Sequence, residues 1–554
     1  MKSKLMKVIA LLLVCLMLVS VASCGQSGGE TTPADDKGSE TPSGSDTQPS
    51  GSDTKPSGDD AQPSDGSGIT DGVLDVAIVS DSGTLDPAIM TGGGFAAVAC
   101  CMEPLWDTTL DNQVIYVLAE SVDQVSDMEY IVHLRQGVKF SNGNPLTASD
   151  VVFSIKQHYA AGATGMPRVQ TVDPDKTVAI DDNTLDMWLL APSIAHFTIL
   201  SQMLVYDEES YDPANAATNP IGTGPYVVTE YTPNSIIKVE RKDDYWGEAP
   251  NMKTINFRVL AESSQRINAL ETGLVDVAAV PTSDVDYVST LPGIKVEGNY
   301  SGMYCSINFN HGENSAFYRN VEARSAVAHA IDPNAVLNVV YLGKGYVMHA
   351  AVPDYCFDYE DRFTDMDETY AKGYDPELAK ELAEKSGLTS RPLKLMTDGT
   401  ETAIKTAEIV QNMLKEIGVT VEINNYDPAT VWQMQYDPAA DYDFSIGNGI
   451  APNRRVGDLL LNGVRYSPQL VIPGAFENNE AYLEKAPECM STLDEKALSD
   501  LLFDMLGQYE RSVLSFALCD YQSFTAFSSD IDMSTALQTF GTAGVRFVDL
   551  RLAG

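Results

Sequence analysis

The sequence is poor in the residues that most enzymes and metal proteins need. Histidine occurs only as His133, His158, His196, His311, His329 and His349, scattered without ligand spacing, and no Cys-x-x-Cys occurs. A buried metal site and a bound metal cofactor are not expected on this pattern. There is no Walker loop, no G-x-G-x-x-G opening a helix, no H-E-x-x-H and no nucleophile set beside a base. The "GQSGG" at 25–29 spells a hydrolase elbow, but no strand precedes it and no helix follows. Basic residues are also few, 36 against 78 acids for a formal charge of −42, so a phosphate-binding face and nucleic-acid partners are excluded. With so many acids, a carboxylate pair at catalytic spacing carries no information.

Long apolar runs are scarce as well. Lys2, Lys4 and Lys7 precede Val8 to Ala22, fifteen residues broken only by Ser20. That run is short of the roughly 20 residues needed to cross a bilayer and has the form of a secretory signal over residues 1–23. It ends in "VASC", which resembles the lipobox of bacterial lipoproteins, so Cys24 is the expected lipid anchor. An ordinary secretory signal with an incidental cysteine is the alternative. From Gln26 to Gly68 the only apolar side chains are Ala34 and Ala61, and "PSGSDT" occurs twice. Such a segment cannot offset its ordering entropy, and a coil of this length spans on the order of 35–40 Å, so residues 24–68 read as a tether.

The body that follows is long enough for two or three domains. Its six cysteines, Cys100, Cys101, Cys305, Cys356, Cys489 and Cys519, permit disulfides without requiring them. The adjacent Cys100 and Cys101 read as small core hydrophobes rather than a vicinal bridge. Two strand, helix, strand units stand out: "TINFRVL", "ESSQRINALETG", "VDVAAV" at 254–280, and "PLKLM", a helix over 401–416 stopped at Gly418, then "VTVEI". A third helix opens with Asp375 as cap and Pro376 at its first position and closes at Gly387. Two such units predict two parallel sheets or sheet segments, hence an α/β body of two lobes with a cleft between.

Four blocks then stand in order: "LDPA" with "MEPLWD" at 85–107, "DMEYIVHLRQGVKFSNGNPLTASDVVFSIKQ" at 127–157, "PIGTGPYVVTEYTPNSIIKVERKDDYWGEAPNMKTINFRVL" at 220–260, and "NVEARSAVAHAIDPNAVLNVVYLGKG" at 320–345. Together they resemble the extracytoplasmic solute-binding proteins of ABC importers, family 5, the oligopeptide-, dipeptide- and nickel-binding lipoproteins. The resemblance implies a type II, cluster C-like periplasmic-binding-protein fold. Lobe I would cover 69–302 with an extra subdomain at about 113–219, lobe II 303–511, and 512–554 would return to lobe I. The outgoing hinge is expected near 303–310 and the return near 512–527. It further implies a monomer that is not an enzyme, held at the outer face of the cytoplasmic membrane of a single-membrane bacterium. There it would capture a solute, peptide-like first of all, and deliver it to permease and ATPase subunits. A sensory or adhesion lipoprotein on the same fold and a tethered hydrolase are the alternatives.

Family members often follow the strand "YDFSI" with glycine, tryptophan and then an aspartate that neutralises a peptide's amino group. Here the chain reads "GNGIAPNRRVGDLL", with Gly449 at the tryptophan position and Pro452 at the aspartate position. Loss of that carboxylate removes the partner of an ammonium group. Arg454 and Arg455 close behind either hold an anionic solute or pair with the protein's own acids. Asn448 and Asn453 flank this segment as further ligand-binding candidates. Tyr304 on the outgoing strand, Trp432 in "ATVWQMQYDP" and Trp106 are aromatic candidates, each with a core role as the alternative. The few histidines argue against nickel held directly, leaving an organic chelate open.

Overall fold

The computed structural model describes residues 72–553, apart from 91–92, 110, 163, 438, 451–453, 466–469, 472, 535 and 537–545. Cys24, the tether and Asn453 therefore lie outside the described residues.

Both strand, helix, strand units form where the apolar periodicity places them. Thr254–Val259, the helix Ser263–Glu271 and Val277–Val280 make the first, and Leu393–Thr397, the helix Glu401–Glu416 and Val421–Asn425 the second. The second helix is opened by the Thr400 hydroxyl, which accepts from the Ala403 amide, and the turn after it is made at Gly418, whose φ of 85° suits a residue without a Cβ. The helix Pro376–Ser386 has Asp375 accepting from Leu378 N and a left-handed Gly387 at its end.

The two units are segments of a single sheet. In the first, Val73–Ile78 inserts between Thr254–Val259 and Val277–Val280, parallel to both. In the second, Leu393–Thr397 pairs in parallel with Val421–Asn425. Two long antiparallel strands connect them: an outgoing strand, Ile294–Phe309, and a return strand, Ser515–Ser528. The return strand pairs with Val277–Val280 in the first lobe, and the outgoing strand with Phe444–Ile450 in the second. Their mutual ladder is interrupted twice, between Tyr300 and Tyr304 and again between Cys305 and Ser306, and the first break is the wider. Tyr300 faces Gln522 and Tyr304 faces Asp520, so three residues of one strand stand against one of the other, with Gly302 at φ 85° inside the bulge.

A separate four-stranded antiparallel sheet, in the order Ala119–Gln124, Glu129–Leu134, Thr184–Trp188, Val178–Asp181, forms the extra subdomain. The helix Ala148–Ala160, with a capping box between Thr147 and Asp150, belongs to it. Its core contains Trp106, fully buried, edge-on to Phe197 at 4.9 Å and donating its indole N–H to the Phe197 carbonyl at 2.9 Å. Trp106 is thus a core residue rather than a cleft residue, because apolar neighbours enclose the ring and its one donor is satisfied inside.

All six body cysteines are free and buried. Cys100 and Cys101 close the buried helix Phe95–Cys101, and the Cys100 thiol donates to Ala96 O.

Candidate functional site

Parallel strands end in loops at their carboxyl ends, and in open α/β sheets ligands bind in the crevice outside those ends. Here two such ends face one another. Val277–Val280 runs into Pro281, Thr282 and Ser283, and Leu393–Thr397 runs into Asp398 and Thr400. Between them is a cavity of about 450 Å³, floored by Cys305 and Asn448 and by Tyr521 to Phe524 of the return strand. Its size is that of a small-molecule site, which spans about 300–1,000 Å³.

The floor is aromatic and amide in character. Tyr521 stacks on Tyr341 with centroids 4.4 Å apart and planes 10° from parallel, and its hydroxyl donates to Asn448 Oδ1 at 3.0 Å. The second-lobe wall adds the Asp398 carboxylate, which accepts from the Thr400 amide and hydroxyl, and the ion pair of Lys405 with Glu401 at 2.7 Å. Lys405 holds the Glu401 carboxyl below its usual range. The first-lobe wall includes Arg266, but its guanidinium donates to the Ala279, Leu260 and Ala261 carbonyls and shapes the corner rather than offering a charge. The Asp398 carboxylate and an internally neutralised Glu401–Lys405 pair thus share one wall above an uncharged floor, an arrangement that does not favour a simple anion.

Alternation along the strand turns Asp520 to the opposite face from Tyr521. There Tyr300, Tyr346 and Tyr355 gather, with ring centroids 5.6 Å apart for Tyr300 and Tyr346 and 6.1 Å for Tyr300 and Tyr355. Asp520 is fully buried, and among the described residues neither carboxylate oxygen has a hydrogen-bond partner of good geometry. Burial pushes its carboxyl up to about 7, with the nearby Tyr355 hydroxyl opposing. The Tyr346 hydroxyl donates to Asp354 instead.

Arg454 and Arg455 belong to this second region and do not line the cavity. Arg454 lies 5.0 Å over the Tyr355 ring and donates to Tyr300 O at 3.2 Å, at the ladder break. Arg455 lies 5.3 Å over Phe357 and donates to Ile194 O of the first-lobe subdomain at 3.2 Å. The Ile194 amide in turn donates to Met490 O of the second lobe. Both arginines thus donate to main-chain carbonyls, and the Asp520 and Asp358 carboxylates act on Arg454 and Arg455 in turn, so the protein's own groups engage the pair.

The remaining predicted residues divide. Asn448 is at the cavity. Tyr304 is 2% exposed, donates to Ala351 O at 3.0 Å and lays its ring where a Cβ on Gly449 would stand. Trp432 is 59% exposed on the helix Pro428–Gln435, against Tyr436 at 4.9 Å, and is not part of the cavity wall. Sequence reading missed Thr282, Tyr341, Asp398 and Tyr521. The signal that finds Thr282 and Asp398 is their place, one or two residues past the carboxyl end of a parallel strand.

Comparison with known proteins gives a consistent picture. A family model described as bacterial extracellular solute-binding proteins, family 5 middle, matches residues 113–460. The chain is 24% identical over 413 residues to the oligopeptide-binding protein OppA of Bacillus subtilis, covering 68% of this chain and 74% of that one. Among solved structures it is similar in fold to NikA from Brucella suis in complex with Fe(III)-EDTA, with a TM-score of 0.75 and 20% identity over 87% of this chain and 100% of the other. It is similar likewise to DppA from Helicobacter pylori in complex with the peptide STSA, with a TM-score of 0.71 and 22% identity over 87% and 98%.

Proposed function

Because the chain belongs to the bacterial extracellular solute-binding proteins of family 5, we propose that it captures a peptide or peptide-like solute in the cavity between its lobes and delivers it to an ABC permease. A member of this family is a binding protein and not an enzyme; no bond is made or broken, and the work is a population shift between open and closed lobes. The observation that carries the reading is the cavity itself, set at the carboxyl ends of strands from both lobes and floored by the strand that joins them.

Peptide is favoured over a simple anion on two grounds. The wall carries the Asp398 carboxylate, a partner for a peptide's amino end, and the arginines that would hold an anion are engaged elsewhere. OppA of Bacillus subtilis is named for oligopeptides, which agrees. The first lobe then runs from about residue 72 to the ladder break at Tyr300 to Tyr304, the second from there to the start of the return strand at Ser515. In this reading Cys24 carries the lipid that holds a monomeric body at the outer face of the membrane.

The test is uptake. Cells lacking the protein should stop importing a labelled peptide mixture and recover when the gene is returned. Unchanged import with loss of a response to peptides would identify a sensor on the same fold.

A further inference from the structure

The two crossover strands each carry a cysteine at the same level. Cys305 and Cys519 are directly opposite one another in the antiparallel register, which puts both side chains on one face. Opposed residues in such a ladder have Cα atoms about 4.5–5.5 Å apart, inside the range of about 4.4–6.8 Å that a disulfide spans. The ladder is irregular on both sides, between Tyr300 and Tyr304 and again between Cys305 and Ser306, so this short stretch has freedom to adjust. Cys305 is 1% exposed but belongs to the cavity floor, so of the two thiols it is the nearer to a small reagent in the cavity, with the second opposite it on the neighbouring strand. The Cys519 thiol, with the Tyr341 hydroxyl after it, holds the Cys305 thiol below its ordinary value, while Cys519 is pushed up by Cys305. The attacking sulfur is the one at the cavity floor, Cys305, because Cys519 lies behind it and outside the cavity lining. Cys100, Cys101, Cys356 and Cys489 differ: burial pushes each thiol up.

We propose that Cys305 and Cys519 form a reversible disulfide across the crossover strands, made by exchange with a low-molecular-weight disulfide that enters the cavity. The Cys305 thiolate attacks one sulfur of the reagent and releases a thiolate that takes up a proton. The Cys519 sulfur then attacks Cys305 Sγ and displaces the second reagent thiolate, which takes up the proton that the Cys519 thiol gives up. Two protein thiols are oxidised and one external disulfide is reduced to two thiols, so the exchange balances. The product ties the two strands together beside the bulge at which the lobes are joined and removes a thiol from the cavity floor.

The native wild-type chain is treated with hydroxyethyl disulfide, free thiols are blocked, and the protein is mapped by mass spectrometry after digestion. The expected result is loss of two thiols and one linked peptide pair joining Cys305 to Cys519, both reversed by dithiothreitol. In Cys519→Ser the reaction stops at a mixed disulfide on Cys305, and in Cys305→Ser Cys519 is left unmodified. Retention of all six body thiols by the native wild type, or a link between any other pair, overturns the proposal.

Discussion

The ring of Tyr304 lies over Gly449. The two residues oppose each other on neighbouring antiparallel strands, and a Cβ at 449 would fall 2.1 Å from the ring. The tryptophan common in the family at this position has no room beside this tyrosine. Gly449→Ala is expected to cost about 1–3 kcal/mol by overpacking, read from urea unfolding. Gly449→Ala combined with Tyr304→Ala should be less damaging than the sum of the two, because the clash is then gone.

Arg455 joins the second lobe to Ile194 of the first. A charge-assisted hydrogen bond is worth about 1.5–3 kcal/mol, and each 1.4 kcal/mol is tenfold in affinity. Arg455→Ala should therefore weaken solute binding by about tenfold or more in calorimetry with the solute the protein retains. Arg455→Lys keeps a donor but loses the planar stack on Phe357 and should fall between. Unchanged affinity in both variants would show that the contact plays no part in closure.

Two buried carboxyls set a pH dependence. Burial raises Asp520 to about 7 and Glu510 to about 8, while in the unfolded chain both titrate near 4. Between those values the folded chain binds more protons than the unfolded one, so their contribution to stability is full below about pH 4 and is lost as pH rises toward 8. Asp520→Asn with Glu510→Gln should flatten the fall in melting temperature over that window. An equally steep fall in the double variant contradicts the assignment.

Cys24→Ser should move the protein from the membrane fraction to the medium and abolish incorporation of labelled fatty acid. Retention on the membrane in the variant would count against a lipid anchor at this residue.

What could be read before the structure was what repeats locally. Apolar spacing marked a helix from about Glu401 to Glu416, where it forms, and caps such as Asp375 and stops such as Gly418 fixed element ends because they act within one turn. That the two strand, helix, strand units share one sheet depends on pairing across more than 200 residues, between Cys305 and Cys519 for instance, and no local pattern encodes it. The site was legible only at Asn448. Trp106 and Tyr304 were chosen for being aromatic, but an aromatic side chain is equally suited to a core, and both are buried there. Tyr341 and Tyr521 carry no mark separating them from the other tyrosines until the strands bring them into a stack.

The central claim, a solute held between the lobes over Tyr521 and Asn448, is tested most directly by native mass spectrometry of the protein purified without denaturation, beside Thr402→Trp. Thr402 is exposed and lines the cavity, so the larger ring fills the site from a position that tolerates it. The account predicts retained peptide masses on the wild type and an empty, folded variant. Equal retention by both proteins would contradict it and place the solute elsewhere.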